Sequence, residues 1–231
     1  AVSPGNVHTC AVAAGGAAKC WGNNAVGQLG TGSATPSSVP VNVSGLGGGV
    51  AGIASGANHS CALMASGEVR CWGQNNVGQL GNGSNADSAT PVTVAGLSGV
   101  VQITAGSFST CAVTSGGGVK CWGDNQYGEL GDNSLTNRAT PVDVVGLTSG
   151  VASVSAKRAH ACALTTAGGV QCAGDIGHGP EGDGSVGSVS PPPVADSVFG
   201  SGVALIGAGP SSLTVANDLM PLGYEVTIFE K

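Results

Sequence analysis

The chain has 231 residues, 42 of them glycine, with 9% charged, 3% aromatic and a net charge of −6. So few charged and long polar side chains cannot furnish the wet faces of long amphipathic helices, and seven scattered basic residues make neither a phosphate-binding patch nor a polybasic membrane anchor. Nucleic acid is therefore excluded as a partner, and without an apolar run of about 18 residues no membrane span is expected. Gly, Ser, Thr, Asn and Val instead suit short strands joined by tight turns, so the fold class expected is all-β. The length allows one or two domains. The first residue is Ala1 rather than Met, as after removal of a leader or tag.

In chain order the sequence repeats itself. Cysteines fall in four pairs, Cys10/Cys20, Cys61/Cys71, Cys111/Cys121 and Cys162/Cys172, each spanning ten positions and recurring every 50 or 51 residues. Trp21, Trp72 and Trp122 follow the second cysteine of their pairs, and then come "VGQLG", "VGQLG" and "YGELG". "VPVNVSGL", "TPVTVAGL" and "TPVDVVGL" close the first three units. In the third unit "VVQITAG" (100–106) reads as a strand, "STCAVTS" (109–115) and "GVKCWGD" (118–124) as a hairpin, and "TPVDVVG" (140–146) as a fourth strand with its proline near an end or edge. Four strands per unit of about 50 residues is the content of one propeller blade.

The stretch "GANHSCALMASGEVRCWGQNNVGQLG" (56–81) and its copies resemble the regulator-of-chromosome-condensation repeat, over roughly residues 1–200. The resemblance implies a β-propeller, usually of seven repeats in a closed ring, that mostly binds other proteins through loops at the ring faces. Relatives include a chromatin-bound nucleotide-exchange factor and secreted β-lactamase inhibitors. This chain carries about four repeats. Only "AVSPG" precedes the first hairpin, and in the fourth Ala173 replaces the Trp and "IGHGPEG" replaces Gly-Gln-Leu-Gly. Four blades could close on themselves, two chains could complete one ring, or the arc could stay open. Open ends would expose apolar faces and strand edges, so a homodimer completing the ring is expected.

Each cysteine pair is symmetric about its hairpin turn, with Ser66 midway between Cys61 and Cys71. Opposed residues of an antiparallel pair lie within the Cα separation that a disulfide accepts. Four cross-hairpin disulfides are expected. Zinc pairs are more closely spaced, and a redox dithiol needs one pair, not four. Eight paired cysteines point to an oxidising compartment, hence a secreted or cell-surface protein, here of bacterial type.

His8, His59 and His160 stand two positions before the first cysteine of their units, and Ser109 takes that place in the third. One reading is a hydrogen bond to a neighbouring blade's backbone. The other uses propeller symmetry: imidazoles on a narrow circle about the axis could converge on zinc and activate water, as in a metal-dependent hydrolase. Asp124, Asp175 and Glu129 could serve as ligands or bases, although such residues are commonly solvated turn groups. No nucleophile signature accompanies them.

The tail, "VALIGAGPSSLTVANDLMPLGYEVTIFEK" (203–231), resembles the first βαβ unit of flavin- and pyridine-nucleotide-dependent oxidoreductases related to glutamate synthase. Gly207 and Gly209 match the first two fingerprint glycines, and Glu230 the ribose-binding acid. Ser212 replaces the third glycine, and Pro221 falls in the last helical turn. One βαβ unit cannot cover both faces of its sheet. The tail is read as a fragment whose cofactor site is vestigial, with FAD or NAD not expected. "SGVALIGAG" also aligns with "SGVVQITAG" (98–106), so the tail could donate the leading strand of a fifth repeat. The function expected is a secreted scaffold that binds a protein or other ligand at a ring face. The alternatives are the histidine-based hydrolase and, behind it, an oxidoreductase.

Overall fold

The computed structural model describes residues 1–175, 203–206 and 226–229. The repeat becomes a series of antiparallel sheets, one per cysteine pair. The first holds β1 (Val2–Pro4), β2 (His8–Val12), β3 (Ala18–Gly22) and β4 (Ser37–Asn42) in that spatial order. The second holds β5 (Val50–Ser55), β6 (His59–Met64), β7 (Val69–Gly73) and β8 (Ser88–Thr93), again in order. The third holds β9 (Val100–Ala105), β10 (Ser109–Thr114), β11 (Val119–Gly123) and β12 (Arg138–Asp143). The fourth has three strands among the described residues, β13 (Val151–Lys157), β14 (His160–Thr165) and β15 (Val170–Gly174). The all-β reading and the blade-like unit hold. The short leading segment before the first hairpin gives a strand of three residues where β5 and β9 have six.

Local chemistry explains each sheet. The turn between β6 and β7 runs through Gly67 at φ +80°, a conformation that costs glycine least. It sets the register that places Cys61 opposite Cys71. The same register opposes Cys10 to Cys20, Cys111 to Cys121 and Cys162 to Cys172. All four pairs are disulfides, with Cα atoms 4.0–4.1 Å apart. Pro40, Pro91 and Pro141 sit in β4, β8 and β12, the outermost strands of their sheets, where a missing N–H leaves no neighbour unsatisfied.

The core lies between sheets. Cys10, Cys20, Leu29, Val43 and Leu46 of the first repeat pack with Val50, Ala62 and Trp72 of the second. Equivalent clusters join the second repeat to the third, and the third to the fourth. No single sheet buries its own apolar face, so stability is a nearest-neighbour property.

In the tail, β16 (Val203–Ile206) pairs in parallel with β17 (Val226–Phe229) as a separate two-stranded sheet. Parallel pairing is what a βαβ unit requires, whereas a leading strand of a fifth repeat would pair antiparallel with a repeat hairpin. Among the described residues β16 therefore does not fill that place. Gly207, Gly209, Ser212, Pro221 and Glu230 lie outside the described residues.

Candidate functional site

The polar residues that the repeat places in register meet at the joints between sheets. At the first joint, the carbonyl of Gln28 accepts the Trp72 indole N–H at 2.9 Å and the Ser60 hydroxyl at 3.2 Å. With its proton committed to that carbonyl, Ser60 accepts from His8 Nε2 at 2.7 Å. The second joint copies the first. The Gln79 carbonyl accepts Trp122 Nε1 at 3.0 Å and the Thr110 hydroxyl at 3.1 Å, and His59 Nε2 lies 3.0 Å from Thr110 Oγ1. Trp72, Trp122, Ser60, Thr110 and His59 are fully enclosed.

His8 and His59 thus make the neighbouring-repeat bond, but to a side-chain hydroxyl rather than to backbone. The His8 and His59 rings pack over Gly5 and Gly56 of their own repeats: a Cβ at Gly56 would collide with the His59 imidazole. Burial pushes His8 down to about 4, and burial with the nearby His8 pushes His59 down to about 3. Both are neutral, and their Nδ1 atoms have no hydrogen-bond partner among the described residues. His160, also held low by burial, stands in the fourth sheet. His8, His59 and His160 occupy three different sheets, and among the described residues no three His, Cys, Asp or Glu side chains gather in a metal-holding arrangement.

The acids are spread over the third and fourth repeats. Glu129 replaces Gln28 and Gln79, and its Oε2 accepts the Tyr127 N–H at 2.9 Å as their Oε1 atoms accept from Val26 and Val77. Gln28 and Gln79 also donate, to Asn23 and Asn76, which a carboxylate cannot do. Burial pushes Glu129 up to about 7, with Asp124 and Asp175 adding repulsion. Asp124 accepts from the Asn125 backbone at 3.0 Å and from Gln126 at 3.2 Å, a turn role.

Sequence reasoning missed one set of residues. Asn24, Asn75 and Asn125 are fully buried and organise the long loop of each repeat. Asn75 donates to the carbonyls of Ser84 and Ala86, and its Oδ1 accepts the Leu80 N–H. Asn24 and Asn125 repeat these bonds. The signal was present as the invariant Asn three positions after each Trp-bearing strand's tryptophan. In the third repeat this loop presents Tyr127 and Leu135, 45% and 48% exposed. Beside them Arg138 pairs with Asp132 at 2.7 Å. Burial raises Asp132, but hydrogen bonds from Ser134, Arg138 and Asn125 outweigh it and hold the carboxyl below its usual value.

The third joint departs from the other two. Ala161 stands where Ser60 and Thr110 supply hydroxyls, and Ala173 where Trp72 and Trp122 supply indoles. Neither donor to the Glu129 carbonyl is present. An apolar cavity of about 50 Å³, open to solvent on one side, takes the place of the indole.

Stapled four-stranded units stacked through polar joints define a protein of the β-propeller repeat class. Segments 20–63, 66–113 and 117–164 match the regulator of chromosome condensation (RCC1) repeat, as do 1–28, 50–79 and 100–129 in a second form. The chain belongs to that repeat family. Among curated relatives, E3 ubiquitin-protein ligase HERC2 of Homo sapiens is 42% identical over 98 residues, which are 40% of this chain and 2% of the relative. The ultraviolet-B receptor UVR8 of Arabidopsis thaliana is 36% identical over 101 residues, 43% of this chain and 23% of the receptor. Among solved structures, human WBSCR16 superposes with a TM-score of 0.72 at 24% identity, covering 80% of this chain and 50% of that one. Prp20p of Saccharomyces cerevisiae, described with its binding to Gsp1p and histones, gives 0.65 at 23%, covering 74% and 42%. The chain therefore spans half or less of each of these proteins, and the two structural likenesses establish the fold.

Proposed function

We propose that the chain is a secreted interaction module that binds a protein partner through loops at one face of a propeller. The observation carrying this reading is how the recurrent polar residues are used. The histidines, hydroxyls, indoles and buried asparagines are engaged in holding repeats together and shaping loops. Variation is left to the loop surfaces, where a rigid scaffold commonly carries its binding residues. The loop between β11 and β12 offers an exposed aromatic and an exposed aliphatic side chain of the kind that anchors protein interfaces. Four intrachain disulfides suggest an oxidising compartment, which supports secretion. Prp20p binds proteins, which favours a protein partner.

The test is capture of a partner by the wild-type chain, followed by the double variant Tyr127→Ala/Leu135→Ser. Affinity for that partner should fall at least about tenfold while thermal stability is unchanged, as expected for a hot-spot pair. Undiminished affinity would overturn the assignment of this loop. For the ring, Trp21 in β3 has no preceding repeat to dock on among the described residues, and it is only half-buried. Completion of the ring by a second copy predicts a dimer by sedimentation equilibrium, and a strict monomer would remove that part.

A further inference from the structure

We infer that the cavity at the third joint is a binding site for a small indole-like ligand: flat, aromatic and carrying one N–H donor. The two preceding joints show what the slot accepts. In each, an indole fills it and donates to the carbonyl of the first residue in the Gln-Leu-Gly triplet, at 2.9 and 3.0 Å. The ring lies against the triplet's glycine: a Cβ built on Gly30 or Gly81 would meet Trp72 or Trp122 Nε1 at 2.8 or 2.7 Å.

The third joint keeps this receptor and lacks its occupant. Gly131 has φ +62°, beside +68° at both Gly30 and Gly81, so the floor of the slot has the same backbone shape. Cys121, Leu130, Val144 and Leu147 line the cavity where Cys20, Leu29, Val43 and Leu46 pack at the first joint. The nearest atom the fourth repeat offers is the Ala173 Cβ, 3.5 Å from a Cβ built on Gly131. Apolar cavities of this kind take up apolar guests, and a single polar group at the wall fixes their orientation. Here that group is the Glu129 carbonyl, whose two usual donors are replaced by Ala161 and Ala173. The cavity is only partly enclosed, so a ring has a way in. This site lies between sheets, against the inner side of the same β11–β12 loop whose exposed Tyr127 and Leu135 carry the protein contact proposed above, and it uses neither of those side chains.

The experiment uses the full chain and indole itself. Indole should raise the unfolding temperature in a saturable, concentration-dependent way, as a ligand selective for the folded state does. 1-Methylindole, which lacks the donor, should bind about fivefold or more weakly, the factor one net hydrogen bond supplies. Ala173→Trp should fill the slot from within the chain and abolish the response to indole. No response of the wild type at saturating indole overturns the inference, as does an undiminished response in Ala173→Trp or equal affinity for both compounds. Should that variant fail to fold, the wild type decides alone. Nuclear Overhauser contacts from indole to the Leu130 and Val144 methyls support the site, and contacts elsewhere overturn it.

Discussion

His59 is completely enclosed and its Nε2 is committed to Thr110, so a charged ring there would be a buried, unpaired cation. The unfolded chain takes up protons on His8 and His59 below pH about 6.5, whereas the folded chain resists down to about 4 and about 3. The contribution of both residues is thus complete above pH about 6.5 and is lost as pH falls through that window. Glu129 acts in the opposite sense. Its folded pKa of about 7 lies above the unfolded value, so the folded chain holds the extra proton. Stability falls as pH rises from about 4.5 to about 7 and is flat beyond. The two slopes partly cancel in the natural sequence. Glu129→Gln restores the residue of the first two repeats, and should stabilise by about 1–2 kcal/mol at pH 8. It should also lay bare the histidine slope, a loss of about 2–4 kcal/mol between pH 7.5 and 5. Urea titrations of both proteins at several pH values check this, and an identical pH profile would contradict it.

At the level of strands and loops, the hairpin disulfides and the interlocking tryptophans do different work. A disulfide closing a loop of this length stabilises by about 3 kcal/mol in the chain-entropy model. Cys61→Ala/Cys71→Ala should lower the unfolding free energy by about that amount without changing neighbouring hairpins, as seen by two-dimensional NMR. Trp72→Ala removes an enclosed indole from the joint and strips the Gln28 carbonyl of a donor, so about 3–5 kcal/mol should be lost in denaturant unfolding. Much of this level could be read from the amino acids. The period gave the sheets, turn symmetry gave the disulfide register, and prolines marked the outer strands. What stayed hidden depends on one repeat meeting the next. The acceptor at each joint is a main-chain carbonyl, which no side-chain pattern announces. The histidine position was visible as a register, but whether such rings converge on an axis or bridge adjacent sheets depends on a radius that spacing does not encode. Ala173 was legible as a departure, yet only the packing around Gly131 turns it into a cavity.

Across the whole molecule, cooperativity should follow the joints. The first two combine a buried apolar cluster with an indole, a hydroxyl and a histidine, whereas the third has a gap in their place and is crossed by bonds between the Gln102 and Thr104 side chains and the Val154 and Ala156 backbone. In a stack where each unit touches only its neighbours, opening begins at the weakest interface. Native-state hydrogen exchange should therefore find β14 and β15 exchanging before β6, β7, β10 and β11. Uniform protection across these strands would contradict this order.

The bonds at a joint also run one way. The earlier repeat gives a carbonyl and, where present, a histidine, and the later one gives an indole and a hydroxyl, so the two faces are complementary but not interchangeable. Tandem duplication respects that polarity. A second copy of residues 47–97 inserted after Leu97 brings its own tryptophan and serine to the original Gln79 carbonyl, and offers its own Gln79 carbonyl to Trp122. The arc lengthens by one unit with every contact preserved. A unit inserted in any frame that separates a tryptophan from the carbonyl ahead of it has no such solution. Growth by whole periods, in one direction, is the change this architecture admits at least cost.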